Sequence, residues 1–356
     1  MKKCVFSTLF FLAFLLGSMC VYNYKYDSYQ ILQTHNKKMS SNQRFQNAGL
    51  INTYLDSNMG YDSIIIGTSM TENFRPTTVA KTMEWNKVLK LSASGASGYE
   101  QFLIAKKALA TGQVKNVLWG VEAGYWDGNK EVFHQRHTFP KYLYETSYFL
   151  EKFALFRYLI GYQTFKLSKL YSNYEPVPCR DVRLEYLNNW AQSASLSFKN
   201  WAKNGNIDKL KLKHSETINK KSLYEYKSKE KFPLIEKLLV PLIKQYPKVN
   251  FYFFIPPYSR LSLIVGDTDR SLGFESSLVE SMKKFENVSI FGFANEKWTT
   301  DFQNYKDLNH YSQEINDIII SSMKQKDNVI NHKNIKSYQN QEVENIRNYE
   351  RSYNEY

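Results

Sequence analysis

Ser69, Asp307 and His310 are of the types, and in the chain order, that nucleophilic acyl chemistry uses. Ser69 ends the stretch Asp62-Ser63-Ile64-Ile65-Ile66-Gly67-Thr68-Ser69, where a β-branched run meets a glycine and the chain beyond turns helix-compatible. Far downstream, Lys306-Asp307-Leu308-Asn309-His310-Tyr311 places a carboxylate three residues before a histidine. A hydroxyl, an imidazole to take its proton and a carboxylate to hold the imidazole are the parts of a hydrolase or acyltransferase that passes through an acyl-serine. The i, i+3 spacing puts Asp307 and His310 on one side of a turn. Taken singly, Ser69 reads as a helix cap and His310 as a packed surface histidine. Their order and the scaffold between them favour the triad.

Such a serine needs a strand to aim it and a helix to follow it. The β-branched run that ends at Gly67 reads as that strand, and the N-terminus of the following helix would offer amide donors to an oxyanion. Pro76 would interrupt this helix, with Thr77 or Thr78 capping a second piece that runs to Met83. Further strands are expected at 88–91, 117–121, 249–255 and 288–293, separated by helices at 101–110, 232–245 and 272–285. Residues 298–306 form the loop that delivers Asp307 and His310, ahead of a last helix at 312–323. This alternation implies an α/β fold, a parallel sheet with helices on both faces.

The chain resembles the SGNH/GDSL hydrolase superfamily, within it the membrane-anchored cell-envelope branch of the DltD-like and alginate O-acetylation proteins. Gly67-Thr68-Ser69 matches the first block, which carries the nucleophile, and Asp307-Leu308-Asn309-His310 matches the Asp-x-x-His of the last. The second-block glycine has two candidates, Gly95 and Gly98, in Leu91-Ser92-Ala93-Ser94-Gly95-Ala96-Ser97-Gly98. In the third block, the chain reads Glu122-Ala123-Gly124 with no asparagine, so one side-chain oxyanion donor is missing. Losing such a donor costs about 2.7–4 kcal/mol of transition-state stabilisation unless another group substitutes. The resemblance implies a flavodoxin-like three-layer α/β/α fold of SGNH type with a mainly parallel five-stranded sheet. It also implies His310 as general base, Asp307 as its orienting partner, and the amides of Ser69 with Gly95 or Gly98 as the oxyanion hole. Glu122, Tyr258, Ser259 and Arg260 are expected near the substrate, the last three on or just after the turn Pro256-Pro257-Tyr258-Ser259, which otherwise serves only as a rigid corner. The implied activity is that of a cell-envelope serine esterase or O-acyltransferase acting on acyl esters of a surface polysaccharide, teichoic acid or peptidoglycan. The alternative is a non-catalytic envelope adaptor or carbohydrate-binding protein that partners a membrane-bound O-acyltransferase.

Met1-Lys2-Lys3 precedes a run from Cys4 to Tyr22 without a charged side chain, long enough to cross a bilayer. We read 1–23 as an N-terminal signal anchor with the remainder outside the cytoplasm, a single-pass protein of the cell membrane; secretion after signal-peptide cleavage is the alternative. Residues 24–60, polar and rich in Asn, Gln, Ser and Lys, read as a membrane-proximal tether. The SGNH-like domain would span 61–325, with a long, mostly helical insertion at 124–230 whose aromatic stripe over 142–171 reads as core, with a lid or a membrane-proximal face that packs on a partner as the alternative. The polar tail, 326–356, reads as disordered or a loose helix. The formal net charge of +13, from 47 basic and 34 acidic residues, suits an anionic envelope polymer or lipid surface. Much of the excess lies between Lys199 and Lys231. No nucleic-acid-binding motif occurs there, and an export signal argues against such a partner. Cys4 and Cys20 fall in the apolar run, leaving Cys179 without a partner for a disulfide, and no metal-ligand or cofactor motif is present. His134 and His137, not at helical i, i+4 spacing, read as loop residues or substrate contacts rather than a metal site.

Overall fold

The computed structural model describes residues 2–29, 31–32, 46–55, 59–127, 141–144, 148–172, 185, 232–266 and 268–354. The basic run between Lys199 and Lys231, the pair His134 and His137, Cys179 and most of the insertion lie outside these residues.

Each apolar run read as a strand is one. Strands β1 (Ser63–Ile66), β2 (Val88–Lys90), β3 (Asn116–Gly120), β4 (Asn250–Ile255) and β5 (Val288–Gly292) pair in parallel, and β6 (Val329–Ile330) adds antiparallel to β5. The order across the sheet is β2-β1-β3-β4-β5-β6. Register sets the two faces, since side chains alternate along a strand. Ile64, Val117 and Phe251 lie side by side, as do Ile65 and Leu118, one residue on. Ile64, Ile66, Val117, Trp119, Phe251 and Phe253 therefore feed one apolar cluster, and Ile65, Leu118, Phe254 and Phe291 another.

Helices cover both clusters, which is why all residues of β1, β2 and β3 are buried. The N-terminal helix α1 (Lys2–Tyr26) is followed by the short α2 (Asn47–Leu50), α3 (Pro76–Met83), α4 (Gly98–Ala110) and the single turn α5 (Ala123–Trp126). Then come α6 (Tyr148–Ile160), α7 (Tyr162–Ser172), α8 (Val240–Gln245), α9 (Arg260–Val265), α10 (Thr268–Met282), α11 (Gln313–Gln325) and α12 (Ile335–Asn354). On the first face, α4 contributes Leu103 and Ile104 and α10 contributes Phe274 and Leu278. On the second, Val79 and Met83 of α3 meet Ile315, Ile319 and Met323 of α11. The result is a three-layer α/β/α arrangement around a mixed six-stranded sheet, one strand more than expected.

Three expectations are corrected. The tail supplies β6 and the 20-residue α12, which closes the β5 edge. Tyr338 of α12 accepts from Ala294 N–H at 2.9 Å, and its ring fills the space above Gly292, where a Cβ would lie 2.6 Å from the hydroxyl. Pro76 opens α3 rather than interrupting a helix, because proline's missing N–H costs nothing at the first position. The described parts of 24–60 pack into the domain. Asp27, Ser28, Tyr29, Gln46, Asn47, Ile51 and Leu55 are all buried, and Asn47 Nδ2 donates to the carbonyls of Leu91 and Ser92 at 3.0 and 3.2 Å.

The docking of α12 yields a direct test. Tyr338→Ala removes an aromatic plug and an amide's acceptor, at an expected cost of about 2 kcal/mol. Thermal unfolding should show a clear drop in Tm, while Ile318→Ala, at an exposed position of α11, leaves Tm nearly unchanged.

Candidate active site

The end of β1 has no room for a side chain. Gly67 has φ +154°, and a Cβ there would sit 2.6 Å from Thr71 Cγ2 and 3.1 Å from the Gly120 carbonyl oxygen. Only glycine lets β1 finish against β3 and turn sharply upward. Thr68 follows and caps a single 3-10 turn, Ser69–Thr71, its Oγ1 accepting from Met70 N–H at 3.3 Å. The helix expected directly after Ser69 is therefore one short turn, too short for a substantial dipole.

That turn is fastened from several directions. Thr71 Oγ1 donates to the Thr68 carbonyl at 2.9 Å or shares its proton with Ser92 Oγ at 2.7 Å. Tyr311 donates its hydroxyl to the Met70 carbonyl at 2.9 Å, and Lys90 Nζ reaches the carbonyls of Glu72 and Phe74 at 2.6 and 3.2 Å. Lys90 is 1% exposed. Burial pushes its ammonium down to about 8, against the opposing charges of Glu72 and Glu185.

His310 comes to Ser69 from the other end of the chain. Its Nε2 lies 2.9 Å from Ser69 Oγ, and its Nδ1 lies 2.9 and 3.0 Å from the two oxygens of Asp307. Asp307 Oδ1 also accepts the backbone N–H groups of Asn309 and His310, each at 2.9 Å. One carboxylate thus closes the turn and orients the ring. Burial alone would raise the Asp307 pKa, but the hydrogen bonds and charge of His310, with the two amides, outweigh it and hold it at about 2. An ionised Asp307 accepts a hydrogen bond from Nδ1–H, which fixes the tautomer whose Nε2 accepts from Ser69.

The loop carrying the pair is itself clamped. Tyr305 and Tyr311 form an antiparallel bridge at its base, and Lys306 N–H donates to the His310 carbonyl at 2.8 Å. Ser259 N–H donates to the Leu308 carbonyl at 3.0 Å, Ser262 Oγ to Asn309 Oδ1 at 2.6 Å, and Tyr305 hydroxyl to the Pro257 carbonyl at 2.9 Å.

The other expected site residues divide. Glu122 and Tyr258 stand together at the carboxyl edge, where Glu122 Oε1 accepts from Thr68 Oγ1 and its Oε2 is bonded to the Tyr258 hydroxyl. Burial raises the Glu122 pKa, opposed by these two hydroxyls and by the charge of His310. Tyr258 is likewise raised, by burial first and then by the Glu122 carboxyl. Ser259 and Arg260 are taken by the scaffold. Ser259 is fully buried and caps α9, and Arg260 is buried with Nη2 donating to Thr299 Oγ1 at 3.0 Å.

Gly95 takes a left-handed φ of +62° in the loop that continues β2. Ala93 N–H in that loop donates to the Gly67 carbonyl at 2.9 Å, so the segment runs beside the nucleophile turn. Gly98 opens α4 behind the Ser97–Glu100 capping box, and a Cβ there would strike the Trp126 ring at 2.6 Å. Its lack of a side chain is a packing requirement. Gln101 ties the loop to the sheet, donating to the Ala96 carbonyl at 2.9 Å while accepting from Trp119 Nε1 at 2.8 Å.

No protein-family model and no curated protein matches the chain. The site is therefore read from its geometry. Lys90, Thr71, Tyr311 and Asn47 hold the nucleophile loops without having been singled out in the sequence. Their partners are mostly backbone carbonyls in other loops, which leave no pattern of residue types.

Asp307 makes the site sensitive to acid. Its carboxyl is depressed from 3.8 to about 2, so its stabilising contribution is complete above about pH 4 and fades as pH falls toward 2. The Tm difference between the wild type and Asp307→Asn should accordingly be constant near neutrality and shrink across that window.

Proposed function

We propose that this protein is an SGNH-type serine esterase or O-acyltransferase of the cell envelope, acting on acyl esters of a surface polysaccharide, teichoic acid or peptidoglycan. The observation that carries the reading is the unbroken chain from Ser69 Oγ through His310 to Asp307, with links of 2.9 Å each, at the carboxyl edge of a parallel sheet. His310 Nε2 takes the Ser69 proton as Oγ attacks the ester carbonyl. In this reading the amides of Ser69 and of Gly95 or Gly98 stabilise the oxygen that becomes negative, and His310 returns the proton to the departing alcohol. The acyl-serine then passes to water or to a sugar hydroxyl that His310 deprotonates in turn.

Glu122 stands where the family pattern has an asparagine. In this reading it works as a neutral acid, since burial opposes its ionisation and no cation pairs with it among the hydrogen bonds it makes. Tyr258 donates to Glu122 in the structure; in this reading a neutral Glu122 reverses that bond, and the phenolic proton so released is the replacement donor to the oxyanion. A cavity of about 170 Å³ adjoins Glu122 and Tyr258, but its lining, which includes Arg270, Glu275 and Glu342, does not include Ser69 or His310, so its size says nothing about the acyl group.

The N-terminal helix is long and apolar enough to cross a membrane. With Lys2 and Lys3 ahead of it, the domain faces away from the cytoplasm. The missing asparagine also favours a second reading, an adaptor that keeps the scaffold and partners a membrane-bound acyltransferase.

A fluorophosphonate probe on the detergent-solubilised full chain separates the two. The esterase reading expects labelling that vanishes in Ser69→Ala and falls sharply in His310→Ala. Glu122→Gln, near-isosteric with the neutral acid, should label within a few-fold of wild type, whereas Tyr258→Phe should slow labelling by about 10²–10³. An unlabelled wild type would favour the adaptor.

A further inference from the structure

Helix α1 does not end where its apolar surface ends. Val21 is 68% exposed, as suits a lipid-facing position, but Asn23 is fully buried. Asn23 Nδ2 donates to the Leu159 and Gly161 carbonyls at 2.7 and 3.3 Å, at the corner between α6 and α7. Just beyond, Asp27 accepts from the Tyr158 hydroxyl at 2.7 Å and from the N–H groups of Ile31 and Leu32 at 3.0 and 2.9 Å. The Tyr22 ring lies 5.1 Å from that of Phe165. Buried polar contacts of this kind are costly to break, so α1, α6 and α7 move as one body.

Around this junction the outer surface is both greasy and basic. Leu155, Phe156 and Tyr162 are 39%, 57% and 60% exposed, and Tyr24 on α1 is 55% exposed. Phe156 lies within one helical turn of Leu159, and Tyr162 follows Gly161 directly, so both sit close to the level of Asn23. Exposed cations accompany them, with Lys166 Nζ 5.2 Å from the Tyr162 ring centroid, Arg157 4.8 Å from that of Tyr142 and Lys25 5.6 Å from that of Tyr26. Tyrosines with lysine and arginine beside their rings are the composition of a membrane interface, where rings sit among the headgroups and cations reach the phosphates. Depth agrees with composition. Tyr24 and Lys25 lie three and four residues past Val21, about 4.5–6 Å along the axis, inside a headgroup layer roughly 5–8 Å thick.

We propose that the α6–α7 face around Leu155, Phe156 and Tyr162 lies in the headgroup layer of the bilayer that α1 spans, with anionic lipid against Lys25, Arg157 and Lys166. The occupant follows from continuity with the exposed apolar surface of α1 and from the sign of the charges. The domain then rests on the membrane at a fixed height and tilt rather than hanging from a flexible stalk. This inference is independent of the chemistry at Ser69.

Nitroxide depth measurements on the full chain in nanodiscs test it. With Cys4, Cys20 and Cys179 changed to serine, labels are placed through Phe156→Cys, Tyr162→Cys, Val21→Cys and, as a solvent reference on α11, Ile318→Cys. In discs containing anionic lipid, the oxygen-to-nickel-chelate accessibility ratio should rank Val21 highest, positions 156 and 162 intermediate and several-fold above 318, and 318 lowest. Replacing the anionic lipid by a zwitterionic one should move 156 and 162 toward the 318 value. The proposal is overturned if 156 and 162 match 318 while position 21 reports lipid. It is equally overturned if they are shielded from both reagents, as a protein partner would shield them, or if their depth ignores lipid charge.

Discussion

The Asp307 carboxylate is the interaction on which the site depends. It accepts two backbone amides that close its own turn and the Nδ1 proton of the histidine at the end of that turn. Local folding and the geometry of the Ser69–His310–Asp307 chain are therefore a single constraint: the turn that Asp307 closes is the turn that orients the His310 ring. The remaining contacts transmit this order outward. The bridge between Tyr305 and Tyr311 closes the loop, and Tyr311 reaches across to the Met70 carbonyl, so the histidine loop and the serine turn are located relative to each other by one buried phenol.

The edge of the sheet accommodates two ionisable groups in an apolar setting beside the Ser69 turn. Lys90 donates to the carbonyls of Glu72 and Phe74, and Glu122 is hydrogen-bonded to the hydroxyls of Thr68 and Tyr258. Burying either is expensive unless its polar atoms are satisfied. Each is held by groups flanking Ser69, which ties the rigidity of the site to the satisfaction of these two side chains. Elsewhere, Asn23 and Asp27 join the N-terminal helix α1 to α6 and α7 by the same means.

How much of this the sequence reveals depends on the range of the interactions involved. Apolar runs that stop at glycine or proline, such as Ile64-Ile65-Ile66-Gly67 and Phe253-Phe254-Ile255-Pro256, mark buried parallel strands, and five of the six strands were legible in this way. The sixth, Val329–Ile330, is only two residues long, and α12 buries Ile346 and Glu342 amid asparagines and glutamines, a composition that resembles a solvated tail. The serine, aspartate and histidine were legible because their spacing is imposed by covalent geometry and turn shape. Lys90 was not, since a lysine at the end of a short strand ordinarily reaches solvent. The described parts of 24–60 pack into the domain instead of forming a tether because Asp27 and Asn47 find partners more than forty residues away.

The most direct test of the central claim is to look for the acyl-serine itself. The full chain would be exposed briefly to p-nitrophenyl acetate, quenched in acid and digested, and the peptide containing Ser69 analysed by mass. The account predicts a burst of nitrophenolate matched by acetyl on Ser69, with neither in His310→Ala. A wild-type protein that gives no burst and carries no acetyl on Ser69 would contradict it.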